Sequence, residues 1–125
     1  MLLDWFWAFL FTEVVEIPIY FYALGRRAAR PRAPWPARLA VAFAASALTH
    51  PLVWFAIPPL VYAVCDPSLT VSYVAFTIVA EAFAVGVEWA YLRADGLRRA
   101  WAWSLLANAA SAGLGLGLRE LVGWP

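Results

Sequence analysis

Long apolar segments alternate with short polar connections along this chain, and there are four such segments. Each reaches the roughly 20 residues that an α-helix needs to cross the hydrocarbon core of a bilayer. The pattern predicts helices at about 5–25, 37–57, 69–92 and 100–122. The connections hold about a dozen residues or fewer, which is typical of neighbouring helices in a bundle. We therefore expect an all-α membrane protein: a single domain over residues 1–125, folded as an antiparallel, up-down-up-down bundle of four transmembrane helices.

Polar residues recur at helical spacing inside each apolar segment. In the first segment Glu13, Glu16 and Tyr20 are spaced i, i+3 and i+7, which places them on one face of a helix. Each later segment has a similar set: Ser46, Thr49 and His50; Thr77, Glu81 and Glu88; Ser104, Asn108 and Ser111. Four helices with one polar face each predict a shared polar interior and an exterior that contacts the lipid bilayer.

The glutamates are the costliest of these residues to bury. An ionised acid at the centre of a membrane helix costs about 2.5–3.5 kcal/mol even on lenient insertion scales. Serine, threonine or asparagine holds membrane helices together at a lower cost. The presence of Glu13, Glu16 and Glu81 on two helices therefore favours a functional site over simple helix packing.

Composition and charge support a membrane location. Hydrophobic residues make up 65% of the chain, well above the roughly 45–50% of soluble domains. The nine basic residues lie in connections or near segment ends, so the positive-inside rule predicts cytoplasmic connections at 26–36 and 93–99. Both termini would then lie outside, and we expect an integral protein of a bacterial inner membrane. No basic face is available for nucleic acid, and the single cysteine, Cys65, excludes an intramolecular disulfide.

Depth along the helices suggests which polar residues lie level. Counted from the outer interface at about 1.5 Å per residue, Glu13 and His50 lie near ~12 Å and Glu16 and Glu81 near ~16 Å. Ser111 lies near ~16 Å and Asn108 near ~21 Å. Glu88 stands apart near ~27 Å, within reach of lipid headgroups or of Arg93.

The first functional hypothesis is a metal-dependent hydrolase, embedded in the membrane and acting on a lipid or a peptide in the outer half of the bilayer. Glu13, His50 and Glu81 would ligate a divalent metal ion, for which zinc, manganese or iron suits a mixed carboxylate and imidazole set. Glu16 would be the general base for the bound water, and Asn108 would orient the substrate.

Two other hypotheses remain open. The second is a proton or cation pathway in an oligomer, with four glutamates as successive stations: Glu13, Glu16, Glu81 and Glu88. The third is a non-catalytic subunit whose polar core sets helix register in a larger complex. The fourth segment carries small residues at Ala109, Gly113 and Gly117, a spacing that lets a second copy or a partner subunit pack closely.

Overall fold

The computed structural model describes residues 2–27, 33–64 and 69–123, and this part of the chain is all-helical with no β-strand. Its helices are α1 (Leu2–Arg27), α2 (Trp35–Phe55), α3 (Ile57–Val64), α4 (Leu69–Ala94) and α5 (Ala100–Val122). The predicted all-α class is therefore confirmed for the described residues. Helices α1, α2 and α4 are each long and apolar enough to cross a membrane, which supports the prediction of a membrane protein.

The second helix differs from the prediction at both ends. It begins at Trp35, two residues early, because Pro34 supplies an extended residue before it and Pro36 suits the first turn of a helix. It ends at Phe55, two residues before the predicted end.

The connection after α2 contains a helix that the sequence pattern did not predict. We expected Pro58 and Pro59 to stop the second span, but they lie in the first turn of α3, where a missing N–H removes no helical hydrogen bond. Ile57 and Val61 of α3 are buried against Ala80 of α4. Helices α2 and α3 together therefore cover a length of α4 that the prediction gave to α2 alone. Cys65 lies outside the described residues.

The four long helices pack around a common interior. Helix α1 packs against α2 and α5, and α4 packs against the same two helices. Across this interior Tyr20 of α1 reaches Glu88 of α4. Helix α5 contacts both of its neighbours: Trp103 packs its ring against Tyr22 of α1, and Arg119 contacts Tyr73 of α4.

One end of the interior is filled by apolar side chains. Several are alanines, whose small side chains let membrane helices approach closely. The buried cluster has nine members: Tyr20, Ala23, Leu24, Ala42, Ala45, Leu92, Leu97, Ala100 and Ala107. Leu97 comes from the tight turn between α4 and α5, where Gly96 has a positive φ of 96° and the Leu97 N–H donates to the carbonyl of Leu92 at 2.9 Å. The turn thus closes this end of the interior.

Near the same end, Arg38 of α2 lies flat against α1. Its guanidinium carbon is 4.3 Å from the centroid of the Phe21 ring, a distance typical of a cation–π contact. Gly25 makes the approach possible, because a Cβ at that position would lie 2.2 Å from Nη1 of Arg38.

Replacing Gly25 with alanine tests this contact. In a helix, glycine to alanine normally stabilises by roughly 0.5–1 kcal/mol. At Gly25 we expect no gain, because the new methyl group pushes the guanidinium off Phe21. Gly86→Ala is the matched control, since nothing lies within 4 Å of a Cβ there. The midpoint temperature of thermal unfolding in detergent should rise for the control variant alone. An equal rise in both variants would contradict the contact.

Candidate functional site

Glu88 is the residue on which the polar interior converges. It is 1% exposed and accepts hydrogen bonds from three side chains on three other helices. Tyr20 of α1 donates its hydroxyl to Oε2, Thr49 of α2 donates to Oε1 at 2.9 Å, and Asn108 of α5 donates Nδ2 to Oε2 at 2.7 Å. One carboxylate of α4 therefore connects all four long helices.

The burial and the partners of Glu88 correct the expectation that it reaches lipid headgroups or pairs with Arg93. The depth count assumed that every span begins at the same level. Because α2 ends at Phe55 and α3 covers part of the length of α4, Thr49 lies opposite Glu88 instead of well above it. The partners of Glu88 are consequently hydroxyl and amide groups of the interior.

Glu16 forms a second centre of the same kind. It is 1% exposed and lies between α2 and α5. Ser46 of α2 donates its hydroxyl to Oε2, and Ser111 of α5 donates to Oε1 at 2.6 Å. Each carboxylate oxygen thus accepts a hydrogen bond from one hydroxyl group.

The other predicted hydroxyl groups bond to the backbone. Ser104 of α5 donates to the carbonyl of Val85 at 2.8 Å, which ties α5 to α4. Thr77 donates to the carbonyl of Tyr73 at 3.0 Å within its own helix. Among the hydrogen bonds of the described residues, neither hydroxyl donates to a carboxylate, so both support the helices that carry the site.

A cavity of about 230 Å³ lies between the long helices, and three of the predicted glutamates line it: Glu16, Glu81 and Glu88. Asn108 and Ser111 also line it. Much of the remaining wall is aromatic or made of small apolar residues, in particular Phe11, Trp54, Tyr73, Phe76, Ala80, Ala84 and Ala112. The cavity is therefore acidic in part of its wall and apolar in the rest.

His50 contributes to the same wall from α2. It is 8% exposed and is surrounded by the rings of Trp5, Phe9 and Trp54, at centroid distances of 6.3, 5.3 and 6.3 Å. Within the described residues Nδ1 has no hydrogen-bond partner. The imidazole is thus a buried polar group whose acceptor or donor capacity is unused.

Glu13 has a different environment from the other glutamates. It is 5% exposed, and neither of its oxygens has a hydrogen-bond partner among the described residues. It does not belong to the cavity wall to which His50 and Glu81 contribute. No group of three or more His, Cys, Asp or Glu side chains in the described part of the chain is arranged to hold a metal ion. The metal site of Glu13, His50 and Glu81 therefore stays a prediction.

The sequence patterns did not single out Tyr73 and Arg119, which also line the cavity. The Arg119 guanidinium lies 4.9 Å from the centre of the Tyr73 ring, and Nη1 donates to the Tyr73 hydroxyl at 2.8 Å. This pair joins the start of α4 to the end of α5 at the exposed end of the cavity. The sequence does contain a signal for Arg119. It is an arginine at the end of the fourth predicted span, and the positive-inside rule places that end outside, where arginine is less common.

Comparison with known proteins adds no relative. No protein family, no curated protein and no solved structure matches this chain. The function of the site has to be inferred from its own chemistry.

Two serine variants distinguish the carboxylate network from ordinary helix packing. Ser111→Ala removes one of the two donors of a buried carboxylate, so we expect a loss of about 1–2 kcal/mol in the free energy of unfolding. Ser104→Ala removes a donor from a carbonyl that remains in a helical ladder, so we expect a loss below about 1 kcal/mol. Denaturation in mixed micelles measures both, and a larger loss for Ser104→Ala would contradict this ranking.

Proposed function

We propose that this protein is a small membrane transport protein in which buried glutamates bind and pass protons or cations. The observation that carries the proposal is the cavity with Glu16, Glu81 and Glu88 in its wall. Intramembrane acids that face a cavity are typical of ion pathways and proton relays. The network at Glu88 further supports it, because a change in the charge of this one carboxylate acts on all four long helices.

We further propose that α5 is a fourth span, which makes the assembly an up-down-up-down bundle in a bacterial inner membrane. Its 23 residues correspond to about 35 Å of helix, and it packs along both α1 and α4. With the basic turn at 93–99 in the cytoplasm, both termini lie outside. The exposed end of the cavity, marked by Tyr73 and Arg119, then opens to the outside.

The apolar cluster at the other end of the interior favours a transporter over an open pore. An ion held at Glu88 meets Leu92, Leu97 and the alanines beyond it, so its release on the cytoplasmic side requires the helices to move. Pro18 and Pro51 lie inside α1 and α2, and prolines interrupt the helical hydrogen-bond ladder. Both lie close to the site, two residues after Glu16 and one after His50, where a bend would move the cavity wall.

The hydrolase hypothesis has less support. It needs Glu13, His50 and Glu81 around one metal ion, whereas Glu13 lies outside the wall that contains the other two. The transport hypothesis uses the three glutamates that the cavity does reach. An oligomer remains part of the proposal: Ala109, Gly113 and Gly117 are exposed on α5, as a face that packs on a second copy or a partner subunit requires.

Ion flux into liposomes tests the proposal. The purified protein is reconstituted into liposomes that enclose a pH-sensitive dye. Flux is driven by a proton gradient or, in parallel, by a sodium or potassium gradient. We expect the wild-type protein to carry one of these ions. The rate for Glu88→Gln should be lower by a factor of roughly ten or more, because the amide cannot take up and release a proton or pair with a cation. Glu120→Gln is the matched control on an exposed residue and should keep the rate.

Size-exclusion profiles of the variants identify any that fail to fold. Flux of wild type no greater than that of protein-free liposomes for every ion would contradict the proposal. Wild-type rates in Glu88→Gln would contradict the role given to this residue.

A further inference from the structure

We propose that the cavity binds a small organic ammonium ion, a protonated amine with a compact apolar or aromatic body. This inference rests on the proposed function, because it names the class of cation that the cavity accepts. The observation behind it is that some polar groups in the cavity wall already have hydrogen-bond partners, whereas others have none within the described residues.

Glu81 is the carboxylate available to a ligand. Glu16 and Glu88 already accept two and three hydrogen bonds from their neighbours. Glu81 lines the same cavity, and none of the side-chain hydrogen bonds within the described residues reaches it. A positively charged ligand therefore finds its counter-charge at Glu81 with the least loss of existing bonds.

His50 adds a second unsatisfied group to the wall. Its Nδ1 is buried and has no hydrogen-bond partner among the described residues, and the surrounding tryptophan and phenylalanine rings offer it only their faces and edges. A buried polar group without a partner is destabilising. A ligand that carries N–H groups can donate to this nitrogen while its charge pairs with Glu81.

The aromatic wall suits the rest of such a ligand. Trp54, Tyr73 and Phe76 line the cavity, and aromatic faces attract ammonium groups by cation–π interaction. The Arg119 guanidinium already covers one face of the Tyr73 ring, at 4.9 Å, so Trp54 and Phe76 are the rings available to the ammonium group. The alanines of the wall leave room for an apolar body.

Volume and wall chemistry narrow the class further. An apolar cavity of about 150 Å³ holds a benzene molecule, so a space of about 230 Å³ admits a molecule somewhat larger than benzene. Hard metal cations such as calcium take about 6–8 oxygen ligands, whereas this wall is largely aromatic and aliphatic. A small amine fits both the size and the surface.

Calorimetric titration of the detergent-purified protein with benzylamine at neutral pH tests the inference. Benzyl alcohol is the uncharged probe of the same shape. We expect benzylamine to bind wild type roughly tenfold or more tightly than benzyl alcohol does, because only the amine is charged. The substitution Glu81→Gln should weaken the binding of benzylamine by a similar factor and leave the binding of benzyl alcohol unchanged. Glu120→Gln changes the charge of the protein equally and should leave both probes unchanged.

His50→Phe provides a second variant that keeps an aromatic ring at this position. This variant should bind benzylamine several-fold more weakly, because the ring no longer has the Nδ1 acceptor. No benzylamine binding by wild type, or equal binding by wild type and Glu81→Gln, would overturn the inference. Flux in liposomes, including uptake of benzylamine, is measured separately. Flux without amine binding leaves the transport proposal standing, whereas amine binding without flux of any of these cations supports the site and contradicts transport.

Discussion

A carboxylate buried among four helices needs donors, and that need connects most of this structure. Glu88 has three, one from each of the other long helices. Inside a protein, such a network is stronger than in water, and an unpaired member is correspondingly unfavourable. The register of α1, α2 and α5 relative to α4 is therefore linked to one side chain. A shift of any helix by a single turn, about 5.4 Å, would leave at least one of these groups without its partner.

The interior is divided by chemistry along its length. Towards the turn at Gly96 it is closed by small apolar residues and leucines, and towards Tyr73 and Arg119 it contains the cavity. Glu88 and Tyr20 lie where the two regions meet. This arrangement places a buried carboxylate at the junction and closes the opposite end with apolar side chains, as the proposed transport function requires.

The polar groups of the interior fall into two sets. Glu16, Glu88 and their partners are satisfied within the protein, so they stabilise the packing of the helices. Within the described residues, Nδ1 of His50 on the cavity wall and the carboxylate of Glu13 outside it have no hydrogen-bond partner. Glu81 is a half-buried carboxylate on the cavity wall. Native proteins satisfy most of their buried polar groups, so exceptions that line a cavity indicate where a ligand would interact. Whether a polar group belongs to one set or the other depends on a difference of a few ångströms in the distance to the nearest possible partner.

The sequence by itself determined the helical class and the polar face of each helix. Apolar segments of membrane-spanning length and the spacing of residues such as Glu13, Glu16 and Tyr20 are local properties, and helical geometry follows from them directly. Which polar residues meet was decided only by the tertiary structure. The early end of α2 and the presence of α3 set Thr49 opposite Glu88. The packing of the long helices leaves Glu13 outside the cavity wall and includes Tyr73 and Arg119 in it. These pairings depend on the relative heights of helices that are distant in sequence, and no local pattern encodes that height.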